Sequence, residues 1–166
     1  MSKLEKIDET DALIIFSPKL DGKSLNEFYC FLSFSKTLSE QVLIKDREII
    51  LSVIKKMMQD CGARENLFRP EGSRNDNVAA LPTLVERRTK DKGVLRLYCI
   101  RVSDRILIIG NGGIKKVQKY QEDKQLFSYV SLLQHIDRRI QARILKDDID
   151  IDDTQAVITL LENLSF

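Results

Sequence analysis

Apolar positions change period several times along the chain, and each change marks an element. Ala12–Phe16 is a short apolar run with β-branched residues, closed by Ser17-Pro18, and predicts a first strand. Ser24-Leu25-Asn26-Glu27 has the spacing of a capping box. Leu25, Phe28 and Leu32 then recur at helical spacing. A second helix is predicted from about Asp46, with Ile50, Val53, Ile54, Met57 and Cys61 as its stripe and Gly62 as its stop. The two helices are expected to pair as a hairpin on one face of a sheet.

Arg64–Asn77 has no period and contains Arg69-Pro70-Glu71-Gly72 and Asn75-Asp76-Asn77, so an ordered surface loop is predicted. Ala79–Glu86 predicts a second strand, with Pro82 marking an edge or a bulge. Arg87–Lys92 is expected to be a charged hairpin tip. Val94–Val102 alternates cleanly, Leu95, Leu97 and Cys99 against Arg96, Tyr98 and Ile100. Ser103-Asp104 is a two-residue turn, so Arg105–Ile109 must return antiparallel. Asn111-Gly112-Gly113 is expected to turn the chain, and Ile114–Tyr120 to form a weak last strand.

Gln121–Asp123 opens a long helix with Leu126, Val130, Leu133, Ile136, Ile140 and Ile144 inward. Asp152–Asn163 fits a short final helix with Val157, Leu160, Leu161 and Leu164 inward. The fold class is therefore α+β: strand–helix–helix, then a small antiparallel sheet of three to four strands, with one or two C-terminal helices. A length of 166 residues suits one domain, 1–166. Residues 1–10 are expected to be flexible, and 145–166 to be an acidic extension carrying a short helix.

Composition narrows the function. No apolar run is long enough to span a bilayer, and the polar N-terminus lacks a signal peptide's apolar region. A cytoplasmic protein without membrane contact is expected. Cys30, Cys61 and Cys99 are widely spaced and form no Cys-x-x-Cys pair, which argues against disulfides and zinc. The net charge is only +2, but its distribution is uneven. Arg64–Lys119 holds thirteen Lys and Arg against six Asp and Glu, a balance of +7, whereas Leu145–Phe166 carries −5. A polyanion partner, an acidic tail that competes with it, or both would follow.

Conventional chemistry finds little footing. Gly110-Asn111-Gly112-Gly113 lacks the endings of a phosphate loop. Asp148-Ile149-Asp150-Ile151-Asp152 begins like a calcium loop but has Asp153 and Thr159 where Gly and Glu are required. His135 is the only histidine and is expected to be structural or on the surface. No metal or cofactor is expected. What remains is Arg96, Tyr98, Arg101, Arg105, Lys115, Lys116, Lys119 and Tyr120 around one sheet. Cations that hold phosphates and rings that stack on bases make a workable RNA surface. Charges on an open sheet face are equally well explained by solvation alone.

Leu95–Ile109 followed by Gly113-Ile114-Lys115-Lys116-Val117-Gln118-Lys119 resembles the central hairpin of HigB-like toxins of the RelE/ParE superfamily. That pattern is an arginine-bearing strand, a tight turn, an apolar strand and a Lys-Lys-x-Gln-Lys run leading to a helix. The likeness covers roughly Ala79–Lys124, and the order of elements extends it back to Asp11. It implies the toxin of a bacterial type II toxin–antitoxin system, a metal-independent endoribonuclease acting on mRNA, often on the ribosome. Its expected partner is an antitoxin with a helix-turn-helix. Arg96, Tyr98, Lys116 and Tyr120 would be the catalytic residues, and Arg101, Arg105, Lys115, Lys119 and Arg69 the phosphate-binding ones. The chain departs from the pattern in its length and in lacking the histidines some members use. A catalytically inactive RelE-like module, binding RNA or a protein, is the alternative.

Overall fold

The structure, a computed structural model, describes residues 1–71, 76–83, 85, 88 and 90–166. Among them are six strands and four α-helices: β1 Lys3–Glu9, β2 Ile14–Lys19, α1 Glu27–Ser35, α2 Gln41–Lys56, β3 Arg69–Pro70, β4 Val78–Leu81, β5 Val94–Ser103, β6 Ile106–Lys115, α3 Lys124–Lys146 and α4 Thr154–Glu162. The α+β class and the strand–helix–helix start are as expected. The sheet is larger, with strands in the order β1-β2-β6-β5-β4-β3. It is also mixed: β2 runs parallel to β6, and every other pair is antiparallel. The expected turn at 72–75, the end of the second predicted strand at Glu86 and the start of the charged tip at Arg87 lie outside the described residues.

Residues 1–10 were expected to be flexible; instead β1 pairs along β2 from Lys3↔Lys19 to Glu9↔Ile14. Its charges belong to an edge strand, where Lys and Glu discourage further pairing. Only Leu4 of this strand is buried.

Period-two alternation sends each strand's residues to two separate cores. Phe16, Ala80, Tyr98, Ile100, Ile106 and Ile108 face α3 and α4, which contribute Leu126, Val130, Leu133, Ile136, Ile140, Val157, Leu160 and Leu161. Ile15, Leu81, Leu95, Leu97, Cys99, Leu107 and Ile109 face α1 and α2, which contribute Phe28, Phe31, Leu43, Ile50 and Ile54. Helices therefore cover both faces. The open basic face expected on the Arg96 side of β5 does not exist, because α3 lies across it.

Local chemistry sets the helix ends. Asn26, rather than Ser24, caps α1: its Oδ1 accepts from Tyr29 N at 2.9 Å. Glu27 consequently turns inward instead of closing a capping box. The second helix starts five residues earlier than predicted, at Gln41. It ends in a π-helical turn, Met57–Cys61, stopped by Gly62 at φ 68°. Asp123 caps α3 by accepting from Gln125 N and Leu126 N. Asp153 caps α4 by accepting from Ala156 N. The acidic C-terminal segment is part of the fold, and Ile151, Asp152 and Thr154 line a cavity together with Arg101 and Arg105. Leu161 and Leu164 are core, and the chain end lies on β1, with Phe166 N donating to Ser2 O at 3.1 Å.

Asn111-Gly112-Gly113 is not a turn. The segment continues β6, and none of its glycines has a positive φ. A bulge sits there, since between the pairs Cys99↔Ile109 and Leu97↔Gly112 two residues of β6, Gly110 and Asn111, oppose one of β5, Tyr98. Only Ile114 and Lys115 of the predicted Ile114–Tyr120 strand belong to β6, and Tyr120–Glu122 is a 3-10 turn leading into α3.

Candidate functional site

The predicted basic surface divides into two groups at opposite ends of the β5–β6 hairpin. Lys115 pairs across from Val94, and Leu107 across from Arg101. Eight residues of extended chain separate the two ends by about 25 Å. At the turn end the arginines are structural braces. Arg101 Nε donates to Ala63 O at 2.7 Å, and its guanidinium also pairs closely with Asp104. Arg105 Nη1 donates to Asp11 O at 3.1 Å.

The other end gathers Arg96, Tyr98, Lys115 and Tyr120 with Glu71 and Arg69. Arg96 is only 4% exposed. Its Nη1 donates to the carbonyl of Pro82, and its Nε has no hydrogen-bond partner among the described residues. Burial, with Arg69 adding to it, pushes the guanidinium pKa down. Tyr98 is fully buried, and its hydroxyl likewise has no partner there. Burial, reinforced by Glu71, holds this phenol far above its ordinary pKa. Tyr120 is buried and stacks on Phe127 at 6.5 Å between ring centroids. Its phenol is also raised, by burial first and Asp76 second, against a hydrogen bond with Gln134. Neither tyrosine is suited to act as a general base near neutral pH.

Glu71 offsets the cations around it. Lys115 Nζ lies 3.3 Å from its Oε1, and Arg69 Nε 4.0 Å from its Oε2. Lys116 and Lys119 are exposed, on the connection that leaves β6 for α3. The side chain of Lys116 passes over Gly93, where a Cβ would stand 2.8 Å from Lys116 Cγ. Of the nine sequence-predicted residues, then, four meet in one polar cluster with Arg69 beside them. Two flank that cluster on the surface, and two serve the far end of the hairpin.

Sequence reasoning missed two polar centres. Asp46, fully buried in α2, accepts from Arg88 Nη1 at 2.5 Å, from Arg88 Nη2 at 2.7 Å and from Leu95 N at 3.0 Å. This locks the start of β5 to α2. An acid on an otherwise apolar helical stripe was the available signal. The second centre is Glu27, 2% exposed, whose Oε2 accepts from Asn111 Nδ2 at 2.9 Å. Asn111 stood between glycines, which suggested a turn and hid the pairing. No cluster of His, Cys, Asp and Glu suited to a metal occurs among the described residues, and none of their helices is long and apolar enough to cross a membrane.

Comparison with protein-family models, with curated proteins and with solved structures finds no match, so the likeness to HigB-like toxins rests on the quoted hairpin segment alone.

Proposed function

We propose that this chain is a RelE-like module that binds single-stranded RNA through the exposed cations beside the β6–α3 connection, without cleaving it. The observation that carries the reading is the fate of the basic set. Lys116 and Lys119 stay exposed, whereas Arg96, Tyr98 and Tyr120 are buried under or beside α3. Exposed lysines suit phosphate binding, which needs only charge and reach. Buried phenols and an arginine committed to Pro82 do not suit attack on a phosphodiester.

Binding predicts a clear electrostatic signature. Lys116→Glu with Lys119→Glu should weaken binding of a single-stranded RNA by about tenfold or more near 0.1 M salt, and flatten the dependence of log K on log salt. Fluorescence anisotropy with a labelled oligonucleotide measures both. Wild-type binding that ignores salt, or a double variant that binds like wild type, would remove the RNA reading.

The second reading is the mRNA-cleaving toxin held by a helix-turn-helix antitoxin. What favours it is the pair of groups without a hydrogen-bond partner among the described residues, Arg96 Nε and Tyr98 Oη, in a cluster where buried polar atoms are normally satisfied. Tightly regulated expression separates the two. Growth arrest by the wild type, relieved in Arg96→Ala with Lys116→Ala, supports the toxin. Unchanged growth at equal soluble levels supports the non-cleaving module.

A further inference from the structure

The outer face of α3 carries charge of one sign. At about 100° per residue, Lys124, His135, Arg138, Arg139 and Lys146 fall within a third of the helix circumference, and each is exposed. The opposite arc, with Leu126, Val130, Leu133, Ile136 and Ile140, packs on the sheet. Asp137 is the only acid in the helix, and it is buried, accepting from Asn77 N at 3.2 Å and from Asn77 Nδ2 at 3.1 Å. The guanidinium groups of Arg138 and Arg139 have no hydrogen-bond or ion-pair partner among the described residues. Arg143, to one side of the arc, is offset by Asp147 at 3.2 Å. A solvated surface normally mixes the two signs, as β1 does, where exposed Lys3 and Lys6 stand beside Asp8 and Glu9. From Lys124 to Lys146 the helix runs about 33 Å, so the cations form a track rather than a point.

Phe127 stands near the start of that track, on the same arc. At 48% it is the most exposed aromatic side chain among the described residues. One face of its ring lies on Tyr120, which leaves the other face to solvent. Lys124 lies one turn earlier on the helix, and Lys119 adjoins Tyr120 in the chain. Of the two acids nearby, Asp123 is taken up in capping α3, and Glu122 stands against both lysines. A ring face among cations is what a single-stranded nucleic acid needs, the ring for a base and the cations for its phosphates. A lipid surface needs a continuous apolar face instead. The arc offers only Phe127 and Leu145, about 27 Å apart.

We infer that the bound RNA strand continues from Lys116 and Lys119 onto the outer face of α3, where one base stacks on Phe127 and later phosphates meet Arg138 and Arg139. The inference rests on the RNA-binding reading and deepens it, because it gives the strand a path and a stacking platform. Stacking tolerates any base, so the site selects for an unpaired strand rather than for a sequence. Arg138 lies about 16 Å along the helix from Phe127, so the base and these phosphates belong to different nucleotides.

The test is fluorescence anisotropy of the full chain with a labelled single-stranded RNA and with an abasic oligonucleotide of the same length. Phe127→Ala should weaken the RNA about tenfold and leave the abasic strand unchanged, since only a base can use the ring. Phe127→Tyr should bind like the wild type, and Phe127→Leu, which keeps apolar bulk on Tyr120 without a ring, should bind like Phe127→Ala. Arg138→Glu with Arg139→Glu should weaken both strands about tenfold or more near 0.1 M salt, and reduce the slope of log K on log salt by about 1.4, the share of two phosphate contacts. Lys55→Glu with Lys56→Glu makes the same change of net charge on α2, across the sheet, and should leave affinity within about threefold. Phe127→Ala that binds like the wild type, or that weakens the abasic strand equally, overturns the stacking platform. Equal losses from the α2 and α3 pairs overturn the path, because net charge alone would then account for both. If the α3 variants bind like the wild type while Lys116→Glu with Lys119→Glu abolishes binding, the inference falls and the RNA reading stands. If the wild type binds no RNA in a salt-dependent way but binds vesicles of phosphatidylserine and phosphatidylcholine, both fall.

Discussion

Asp46→Ala should lower the unfolding free energy by about 3–5 kcal/mol, the loss typical when one partner of a buried ion pair is removed. Asp46 has no exposed side-chain surface and Arg88 has 6%. The carboxylate accepts two bonds from the guanidinium and one from the Leu95 N–H. Truncation leaves a buried cation without its counter-charge and a buried backbone donor without its acceptor. Domains of this size have about 5–15 kcal/mol to lose in total, so the denaturant midpoint should move far down. Replacing both partners, Asp46→Leu with Arg88→Met, should be more stable than either single variant, because no uncompensated charge remains. A midpoint for Asp46→Ala within about 1 kcal/mol of wild type would mean the pair is not held as described. The consequence reaches the functional end of the hairpin. Arg88 also donates to Gly93 O at 3.2 Å, and Gly93 lies under Lys116. A loosened pair should therefore weaken RNA binding as well as stability.

The sequence made one class of feature legible and hid another. The stripe Leu126, Val130, Leu133, Ile136 and Ile140 placed the start of α3 within about three residues of where it lies, because helical period is a local property. Alternation along β5 correctly separated Arg96, Tyr98 and Ile100 from Leu95, Leu97 and Cys99. What alternation cannot report is whether a face is covered. Ile100 and Tyr98 face α3, which follows about twenty residues later, and only the tertiary packing of that helix turns an apparently open basic face into core. The parallel neighbour of β6 was hidden for a similar reason, since β2 is ninety residues earlier in the chain and reaches β6 after two helices.

The basic run misled because it was read along the sequence rather than across the hairpin. Thirteen cations within Arg64–Lys119 suggest one surface, yet an antiparallel pair places Arg101 and Arg105 near the turn and Lys115 and Lys116 at the far end. Each arginine at the turn then finds a carbonyl or carboxylate of its own. The charge that remains exposed beside the cluster sits on Lys116 and Lys119.

Gly112→Ala should destabilise the fold by at least about 3 kcal/mol, at or beyond the upper end of ordinary overpacking. A Cβ on Gly112 would enter the van der Waals shell of the Arg96 carbonyl oxygen, with the Arg96 carbonyl carbon and Leu97 Cα both at 2.9 Å. These are backbone atoms of the paired strand, and no side-chain rotation relieves them. The two strands would have to part at the bulge, between two buried cores. Gly113→Ala is the control one residue away. Its Cβ would meet only Leu126 Cδ2, at 3.3 Å, the movable tip of a side chain, so the cost should stay below about 1 kcal/mol. The sequence presented both glycines as one sharp turn, in which either would accept alanine poorly because of a positive φ. Neither has one. Chemical denaturation of the two variants decides between the accounts: similar midpoints would restore the turn, whereas a large loss confined to Gly112→Ala fixes the close approach of β5 as the reason this position is glycine.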